Sequence, residues 1–281
     1  MSIKTAVKKC FKSIIHRTPA VNITAKIYQI APGKILDGKK IIITGGSRGL
    51  GFYIAKKCIA EGAIVLITGR DEKTLLEASN ELGNNCKYLR FDMRQADMVK
   101  EFFHQAVTIL GSGKVDCLVS NAGVSLHEGN YRNVTINSWD IQMDTNLKGA
   151  YFLIQAFVDQ LQTYEDNSGN VIMMTSERGL YCDDIPYGLS KAAINSFTRG
   201  LSRRLITKGI RVNAIAPGVT ASEMTGYKAD ENLYREKVCG KRVFLPEEVA
   251  EVAVFLLSDA SRCISGEVIA CDQGNYLRCD W

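Results

Sequence analysis

Short apolar runs, rich in β-branched residues, recur along the chain from residue 39 onward. Between most of them lie longer segments whose apolar residues have helical spacing, for example residues 51–62 and 191–209. Nearly continuous apolar strands separated by helices are typical of a parallel sheet covered on both faces. The pattern therefore predicts an α/β fold: a single doubly wound Rossmann-type domain, with a seven-stranded parallel sheet and helices on both faces. The predicted strands are residues 39–44, 63–68, 86–91, 115–120, 170–175, 210–216 and 267–272.

Residues 1–34 lie outside this alternation and form a basic arm. Its apolar residues from Ile3 to Ile14 fall on one helical stripe with lysines mostly opposite, which predicts an amphipathic helix. Packing on the chain's own body or on a neighbouring subunit is the favoured interpretation. Contact with a membrane surface and a cleaved transit peptide are the alternatives. The predicted division is thus an arm, 1–34, and a single α/β domain, 35–281, which carries the motifs considered below.

Composition and charge exclude several classes of protein. The chain is 46% hydrophobic and 23% charged, and it contains no apolar run near the roughly 20 residues of a membrane helix. The arm has seven basic residues and no acid, so the net charge of +5 leaves the body with no basic surplus for nucleic acid. Nine cysteines without a C-x-x-C pair predict reduced thiols in a cytoplasmic protein, and three scattered histidines predict no metal site.

A glycine-rich loop, "TGGSRGLG", joins the first predicted strand to a helix at residues 44–51. Gly45, Gly49 and Gly51 permit a tight turn and a close approach of diphosphate oxygens to main-chain N–H groups. The helix start adds partial positive charge for that anion. The spacing is G-x-x-x-G-x-G and no Gly-Lys-Ser/Thr follows, so the loop differs from a Walker loop. Its position after the first strand predicts a dinucleotide phosphate site.

Four motifs together resemble those of the short-chain dehydrogenase/reductase family: "TGGSRGLG", "NAG" at 121–123, the Tyr187/Lys191 pair and "APGVTASEMT" at 216–225. The resemblance covers residues 36–275. It implies a nicotinamide dinucleotide cofactor, a small-molecule carbonyl or alcohol substrate, and a homotetramer with the C-terminal segment near a subunit interface. The cofactor contacts that it implies are Gly45, Ser47, Arg48, Gly49, Leu50, Gly51, Arg70, Asp92, Asn121, Ala122, Gly123, Tyr187, Lys191, Pro217, Gly218 and Ser222.

The end of the second strand favours NADP(H) over NAD(H). Family members that prefer NAD usually carry an acid there for the ribose hydroxyls, whereas this chain has Gly69 followed by Arg70. Arg48 lies in the glycine loop, and two guanidinium groups suit a 2′-phosphate. Either arginine could instead be a solvated surface charge or pair with the acids at 71–72. Asp92, after the third strand, resembles the residue that contacts the adenine, or it is a turn or cap residue.

The stretch "TSERGLYCDDIPYGLSK" carries the predicted chemistry in Ser176, Tyr187 and Lys191. Positions i and i+4 share a helix face, so the phenol and the ammonium can face one cleft. A nearby cation favours phenolate, whose parent phenol has a pKa near 10, and a serine hydroxyl can bond the substrate oxygen. By resemblance, Lys191 also holds the nicotinamide ribose and Asn146 completes a proton relay. Each residue alone could be an ordinary helix or cap residue.

Two departures from the family pattern concern the substrate pocket. Ser176 precedes Tyr187 by eleven residues, where many members have about thirteen, so the connection is expected to be two residues shorter. Ser222 stands where a threonine often contacts the nicotinamide carboxamide, within a polar segment, 222–244, at the place of the family's lid. Arg178 could bind an anionic or hydroxylated substrate, or it could pair with one of the acids at 177, 183 or 184.

These observations predict an oxidoreductase that transfers a hydride between NADP(H) and a carbonyl or secondary alcohol. A keto-sugar acid or polyol and a 3-oxoacyl thioester are both open as substrates. The alternative is a non-catalytic dinucleotide-sensing regulator of the same fold. Such proteins commonly lose the tyrosine or the lysine, and this chain has both Tyr187 and Lys191.

Overall fold

The chain folds around one sheet of seven parallel strands. The structure, a computed structural model, describes residues 21–24 and 33–277. The strands are β1 (Lys40–Thr44), β2 (Ile64–Gly69), β3 (Cys86–Arg90), β4 (Cys117–Ser120), β5 (Gly169–Met174), β6 (Ile210–Pro217) and β7 (Val268–Cys271). Their order in the sheet is β3-β2-β1-β4-β5-β6-β7. The predicted fold class is confirmed, and every predicted strand forms with its ends within two residues of the expected ones.

Helices cover both faces of this sheet. The α-helices of the described residues are α1 (Gly49–Ala60), α2 (Glu72–Leu82), α3 (Val99–Ile109), α4 (Ile136–Met143), α5 (Gly149–Leu161), α6 (Pro186–Leu205) and α7 (Pro246–Leu257). Helices α1, α2 and α7 pack on one face and α3, α5 and α6 on the other, each with its own apolar core. The sheet is therefore doubly wound.

Alternation along each strand divides its residues between the two cores. In β1, Ile41 and Ile43 belong to the core under α1 and α7, while Ile42 belongs to the opposite core. Ile42 pairs with Leu66 of β2 and Leu118 of β4, and both of these face the same side. Because both faces are buried, each strand reads as a continuous apolar run. The carboxyl ends of the strands meet at one edge of the sheet, and the predicted site residues follow those ends.

The segment 219–245, which we call the lid segment, has a small core of its own. Ala221, Leu233, Val243 and Leu245 are buried together. Isolated bridges tie the segment internally, joining Thr220 to Phe244, Ser222 to Tyr227 and Tyr234 to Arg242. The segment expected at the place of the family's lid is thus a folded unit at the carboxyl edge of the sheet.

Residues 21–24 of the arm contact the lid segment. Ile23 donates its N–H to Asn232 Oδ1 at 3.0 Å, and Leu233 donates its N–H to the carbonyl of Ile23 at 3.2 Å. The amide of Asn232 also donates to the carbonyl of Val21 at 3.2 Å. The predicted amphipathic helix lies outside the described residues. Among the residues that are described, none of the helices has the length and apolar character needed to cross a membrane.

Candidate active site

The glycine loop links β1 to α1 in a geometry that excludes larger residues. Gly45 and Gly49 have φ angles of 64° and 56°, in the left-handed region that favours glycine. A Cβ on Gly51 would lie 2.3 Å from the carbonyl oxygen of Gly45. Arg48 precedes α1 without a side-chain cap, so the first-turn N–H groups are open to an anion. The loop and the helix start therefore fit a dinucleotide diphosphate.

Asn121, directly after β4, holds this loop in place. Its Nδ2 donates to the carbonyl of Thr44 at 2.8 Å and to that of Gly45 at 3.1 Å. Thr44 Oγ1 in turn accepts the N–H groups of Asn121 and Ala122 at 3.0 and 2.9 Å. Sequence reasoning missed Thr44. The available signal was a hydroxyl residue that ends a buried strand directly before the glycines.

The end of β2 is a glycine, and a cation follows it. A Cβ on Gly69, its last residue, would lie 3.7 Å from Ser47 Oγ, so the glycine loop runs beside this strand end. Arg70 follows with an exposed side chain. Leu50, in the first turn of α1, packs against the core.

Arg48 and Asp92 both have charged partners. Arg48 Nη1 lies 2.5 Å from Glu223 Oε2 in the lid segment, so its ion-pair partner within the described residues is not one of the acids at 71–72. Asp92 accepts bonds from Arg94, the shortest 2.6 Å from Nη2 to Oδ2, and this holds the pKa of Asp92 below its usual value. Arg94 was missed, although an acid and an arginine two residues apart follow the strand.

The loop after β6 brings the lid segment to the glycine loop. Pro217 is the last residue of β6. The next residue, Gly218, donates its N–H to the carbonyl of Cys271 in β7 at 2.9 Å. Ser222 Oγ lies 3.2 Å from Thr225 Oγ1. A Cβ built on Gly49 would lie 3.9 Å from the Cβ of Ser222. The predicted carboxamide contact and the predicted phosphate site are therefore neighbours.

Ser176, Tyr187 and Lys191 come together where β5 meets the start of α6. The Ser176 hydroxyl lies close enough to the Tyr187 phenol to lower its pKa, and Ser176 Oγ accepts the N–H of Arg178 at 3.2 Å. Lys191 Nζ lies 5.6 Å from the centroid of the Tyr187 ring. It donates to the carbonyl of Met174, the last residue of β5, at 2.9 Å. The i, i+4 spacing thus puts phenol and ammonium on one face of α6.

Burial acts against the charged forms of both groups. It raises the pKa of the partly buried Tyr187. The Ser176 hydroxyl and the Arg178 charge lower that pKa. The carboxylates of Glu177 and Asp183 raise it. Burial also lowers the pKa of Lys191 to about 8. The site therefore favours the neutral phenol, the form that can give a proton to a substrate oxygen.

Asn146 lies in a π-helical turn between α4 and α5, a local irregularity that is frequent at functional sites. Its Oδ1 accepts the N–H of Val124 at 2.8 Å, and its Nδ2 donates to the Val124 carbonyl and to Ser190 Oγ. A Cβ on Gly123 would lie 3.2 Å from Lys191 Nζ and 3.4 Å from Asn146 Oδ1. The amide and the ammonium thus border a common space that Gly123 leaves open.

Of the predicted roles of Arg178, the structure shows a pair with one of the nearby acids. Its Nε lies 2.5 Å from Asp183 Oδ2 and its Nη2 lies 2.7 Å from Asp183 Oδ1. The guanidinium is therefore committed to an acid of the connection between Ser176 and Tyr187. A substrate carboxylate would have to compete with that pair.

Comparison with known proteins identifies the family of the chain. The family model described as "Enoyl-(Acyl carrier protein) reductase", which covers short-chain dehydrogenases, matches residues 45–275. The chain is 34% identical over 249 residues to the 3-oxoacyl-[acyl-carrier-protein] reductase FabG of Chlamydia muridarum, covering 85% of this chain and 98% of that protein.

Two solved structures share the fold over nearly their whole length. One is a putative short-chain alcohol dehydrogenase from Sinorhizobium meliloti, with a TM-score of 0.76 and 34% identity over 86% of this chain and 98% of that one. The other is a putative gluconate dehydrogenase from Agrobacterium tumefaciens, with a TM-score of 0.77 and 26% identity over 89% of this chain and all of that one. The chain therefore belongs to the short-chain dehydrogenase/reductase family and is an NAD(P)-dependent oxidoreductase.

Proposed function

We propose that the protein transfers a hydride between NADP(H) and the carbonyl carbon of a 3-oxoacyl thioester or the corresponding 3-hydroxy compound. The observation that carries the proposal is the convergence of Ser176, Tyr187, Lys191 and Asn146 beside the glycine loop. Curated relatives from several bacteria at 28–34% identity are 3-oxoacyl-[acyl-carrier-protein] reductases, which favours the thioester. The commitment of Arg178 to Asp183 also favours a carbonyl substrate without a carboxylate beside it.

The residues of the chain supply binding and proton transfer. The dinucleotide, when bound, supplies or accepts the hydride at its nicotinamide ring. In the reductive direction the Tyr187 phenol gives its proton to the carbonyl oxygen as the new C–H bond forms, so the carbonyl becomes an alcohol. The Ser176 hydroxyl donates to the same oxygen and stabilises its developing charge. Lys191 and Asn146 return a proton to the phenolate through the space that Gly123 leaves open.

The preference for NADP(H) rests on the end of β2. Gly69 stands there in place of an acid, and Arg70 supplies positive charge for a 2′-phosphate, which Arg48 joins by exchanging its Glu223 partner for the phosphate. We expect Arg70→Ala to lower kcat/KM for NADPH about tenfold or more and to change the value for NADH little, since a charge-assisted bond contributes about 1.5–3 kcal/mol. Equal or better turnover of the unsubstituted protein with NADH would contradict the preference.

A substrate panel with Tyr187→Phe tests the reaction itself. We expect turnover of a 3-oxoacyl thioester, read at the absorbance of reduced nicotinamide, to exceed that of keto-sugar acids and polyols. Tyr187→Phe should lose at least about a hundredfold in kcat, as expected for removal of a general acid, and keep its affinity for NADPH. The matched control is Tyr164→Phe, which should keep full activity. Tyr164 follows α5 at the opposite edge of the sheet.

Two outcomes of that panel would redirect the proposal. A preference for keto-sugar acids would move the substrate class toward that of the Agrobacterium neighbour. Turnover by no carbonyl, with NADPH binding intact and a biological output insensitive to Tyr187→Phe, would favour the dinucleotide-sensing alternative.

We further propose a homotetramer in a reducing compartment such as the cytoplasm. Large apolar side chains are exposed on α4 and α5, among them Trp139 and the neighbouring rings of Tyr151 and Phe152, and such exposure supports a subunit interface. The cysteines of the described residues are free thiols, which supports a reducing environment. Light scattering of the purified protein tests the assembly, and a monomer at micromolar concentration would contradict it.

A further inference from the structure

One ion pair closes the shortened connection between Ser176 and Tyr187. Arg178 and Asp183 share two parallel hydrogen bonds of 2.5 and 2.7 Å, the bidentate geometry that makes such pairs strong. The Asp183 side chain is only 3% exposed and that of Arg178 is 36% exposed. Because the Asp183 carboxylate is buried, removal of Arg178 would leave it without a counter-charge, which costs more than the loss of a surface salt bridge.

Asp183 is fixed directly against the first turn of α6. Its Oδ1 accepts the N–H groups of Asp184 and Ile185 at 2.8 and 3.3 Å, and Ile185 is the residue that precedes the helix. A Cβ on Gly188 would lie 2.0 Å from Asp183 Oδ2. The carboxylate therefore occupies the space that a side chain at 188, next to Tyr187, would fill.

Arg178 is fixed to the strand side of the site. It belongs to the short turn Glu177–Gly179, which begins at Ser176. The far end of this turn is tied to α6, because Asn195 Nδ2 donates to the carbonyl of Gly179 at 2.8 Å. The ion pair thus joins the element that presents the serine hydroxyl to the element that presents the phenol.

Four charged side chains face the Tyr187 phenol. Lys191 lies on the same helix, Arg178 and Glu177 lie on the turn after β5, and Asp183 lies in the connection. The Arg178 charge lowers the pKa of the phenol and the Asp183 charge raises it. The two members of the pair therefore act on the phenol in opposite directions.

We propose that Arg178 and Asp183 are positioning residues, whose bidentate pair holds Tyr187 against Ser176 and turns a fixed guanidinium toward the phenol. The pair takes the place of the longer connection that many family members have. The inference deepens the proposed function and rests on Tyr187 being the proton donor. It assigns to Arg178 an internal role in place of binding a substrate carboxylate.

Neutral polar substitutions of the two residues distinguish the effect of the pair on the position of Tyr187 from its effect on the charge around the phenol. We expect both Arg178→Gln and Asp183→Asn to lower kcat about ten- to hundredfold, because small displacements of a catalytic group cost that much. We expect the pKa of the Tyr187 phenol to shift in opposite directions in these two variants. It should move to higher pH in Arg178→Gln, which removes the cation, and to lower pH in Asp183→Asn, which leaves the cation uncompensated.

The titration is read without turnover, from the Cζ resonance of 13C-labelled tyrosine assigned with Tyr187→Phe. Arg178→Lys keeps the charge and loses the bidentate geometry, so its titration should stay near that of the unsubstituted protein while its kcat falls. Arg242→Gln is the matched control, because it breaks another bidentate pair, with Glu248 at the start of α7, and should leave the titration in place.

The outcomes decide the inference independently of the proposed function. Unchanged or equally directed titration in Arg178→Gln and Asp183→Asn would overturn it, as would full kcat in both. If Asp183→Asn does not fold, Arg178→Gln against Arg178→Lys decides alone, since only the glutamine variant should shift the phenol. If no carbonyl is turned over but the opposite shifts appear, the proposed function fails and the role of the pair in setting the phenol stands.

Discussion

Lys191 shows at the scale of one residue how the site opposes the stability of the fold. Its ammonium is buried with a hydrogen bond to the Met174 carbonyl, and burial lowers its pKa to about 8. The neutral amine suits the low-dielectric surroundings, whereas the proposed chemistry uses the charged form. Conflicts of this kind between stability and chemistry concentrate at active sites.

We expect Lys191→Met to be more stable than the unsubstituted protein at pH 7 and to lose this advantage at alkaline pH. The folded lysine releases its proton near pH 8, whereas the unfolded lysine keeps it to about pH 10.4. Between these values the unfolded state binds more protons, so the lysine protein gains stability as pH rises. The advantage at pH 7 is at most ~3 kcal/mol, reduced by about 1 kcal/mol for the lost hydrogen bond.

Urea unfolding of both proteins at pH 7, 8.5 and 10 measures this difference. Cys58, Cys117 and Cys271 also titrate in alkaline solution, since burial raises their pKa values, but they are present in both proteins and cancel. A difference in unfolding free energy that does not change with pH would show that the ammonium is not buried as described.

The residues that the sequence could identify are those that act through local spacing. Tyr187 and Lys191 share a helix face because they are four apart, which needs no knowledge of the tertiary fold. The partner of Arg178 could not be chosen, because three acids lay within reach in sequence and only the fold puts the carboxylate of Asp183 over Gly188. Thr44 was missed for the same reason, since its contacts lie directly after β4, 77 and 78 residues away.

At the scale of elements, the strands were predictable and the lid segment was not. Burial on both faces makes each strand a continuous apolar run, a strong signal that is bounded by the next helix. The lid segment has a core of few residues, such as Leu233 and Val243, which meet across a long polar stretch. The apolar residues of the lid segment follow neither helical nor strand spacing, so the sequence could not predict its fold.

The junction of β1, α1 and β4 makes the glycine loop a unit held by Asn121. We expect Asn121→Ala to raise the Kd for NADPH about tenfold and to destabilise the protein by about 1–3 kcal/mol, because two loop carbonyls lose their donor. Isothermal titration calorimetry measures the Kd and urea unfolding the stability.

Asn213→Ala is the matched control for this prediction. Asn213 is a fully buried amide on β6 that bonds the carbonyl of Ile264 and the N–H of Glu267, away from the loop. Its loss should cost similar stability and leave the Kd unchanged. An equal rise of the Kd in both variants would mean that general destabilisation, and not the loop, weakens cofactor binding.

At the scale of the whole molecule, the arm lies outside the residues that the family model matches. The family match begins at residue 45, and the Chlamydia relative is covered almost completely by 85% of this chain. The described residues 21–24 nevertheless contact the lid segment, which borders the active site through Ser222 and Glu223. A segment outside the shared domain therefore rests on the element beside the cofactor site.

We expect this contact to stabilise the lid segment. The side-chain amide of Asn232 accepts the N–H of Ile23 and donates to the carbonyl of Val21, as a neighbouring strand would. Each exposed bond contributes about 0.5–1.5 kcal/mol, so deletion of residues 1–24 should speed amide exchange across 219–245 by roughly three- to tenfold or more. Hydrogen–deuterium exchange of the apoprotein measures this directly.

Comparison of three variants distinguishes the contact from the lid's own bonds. Asn232→Ala loses its two bonds to residues 21–24 and the bond to the N–H of Tyr234, whereas the deletion loses the same two and the bond from Leu233 to Ile23. Each variant loses three bonds, so both should speed exchange by a similar factor. Lys228→Ala removes only an exposed pair with Glu231 inside the segment and should exchange as the unsubstituted protein does. Unchanged exchange after the deletion would mean that residues 21–24 add nothing to the lid segment, and the shared domain would then hold it alone.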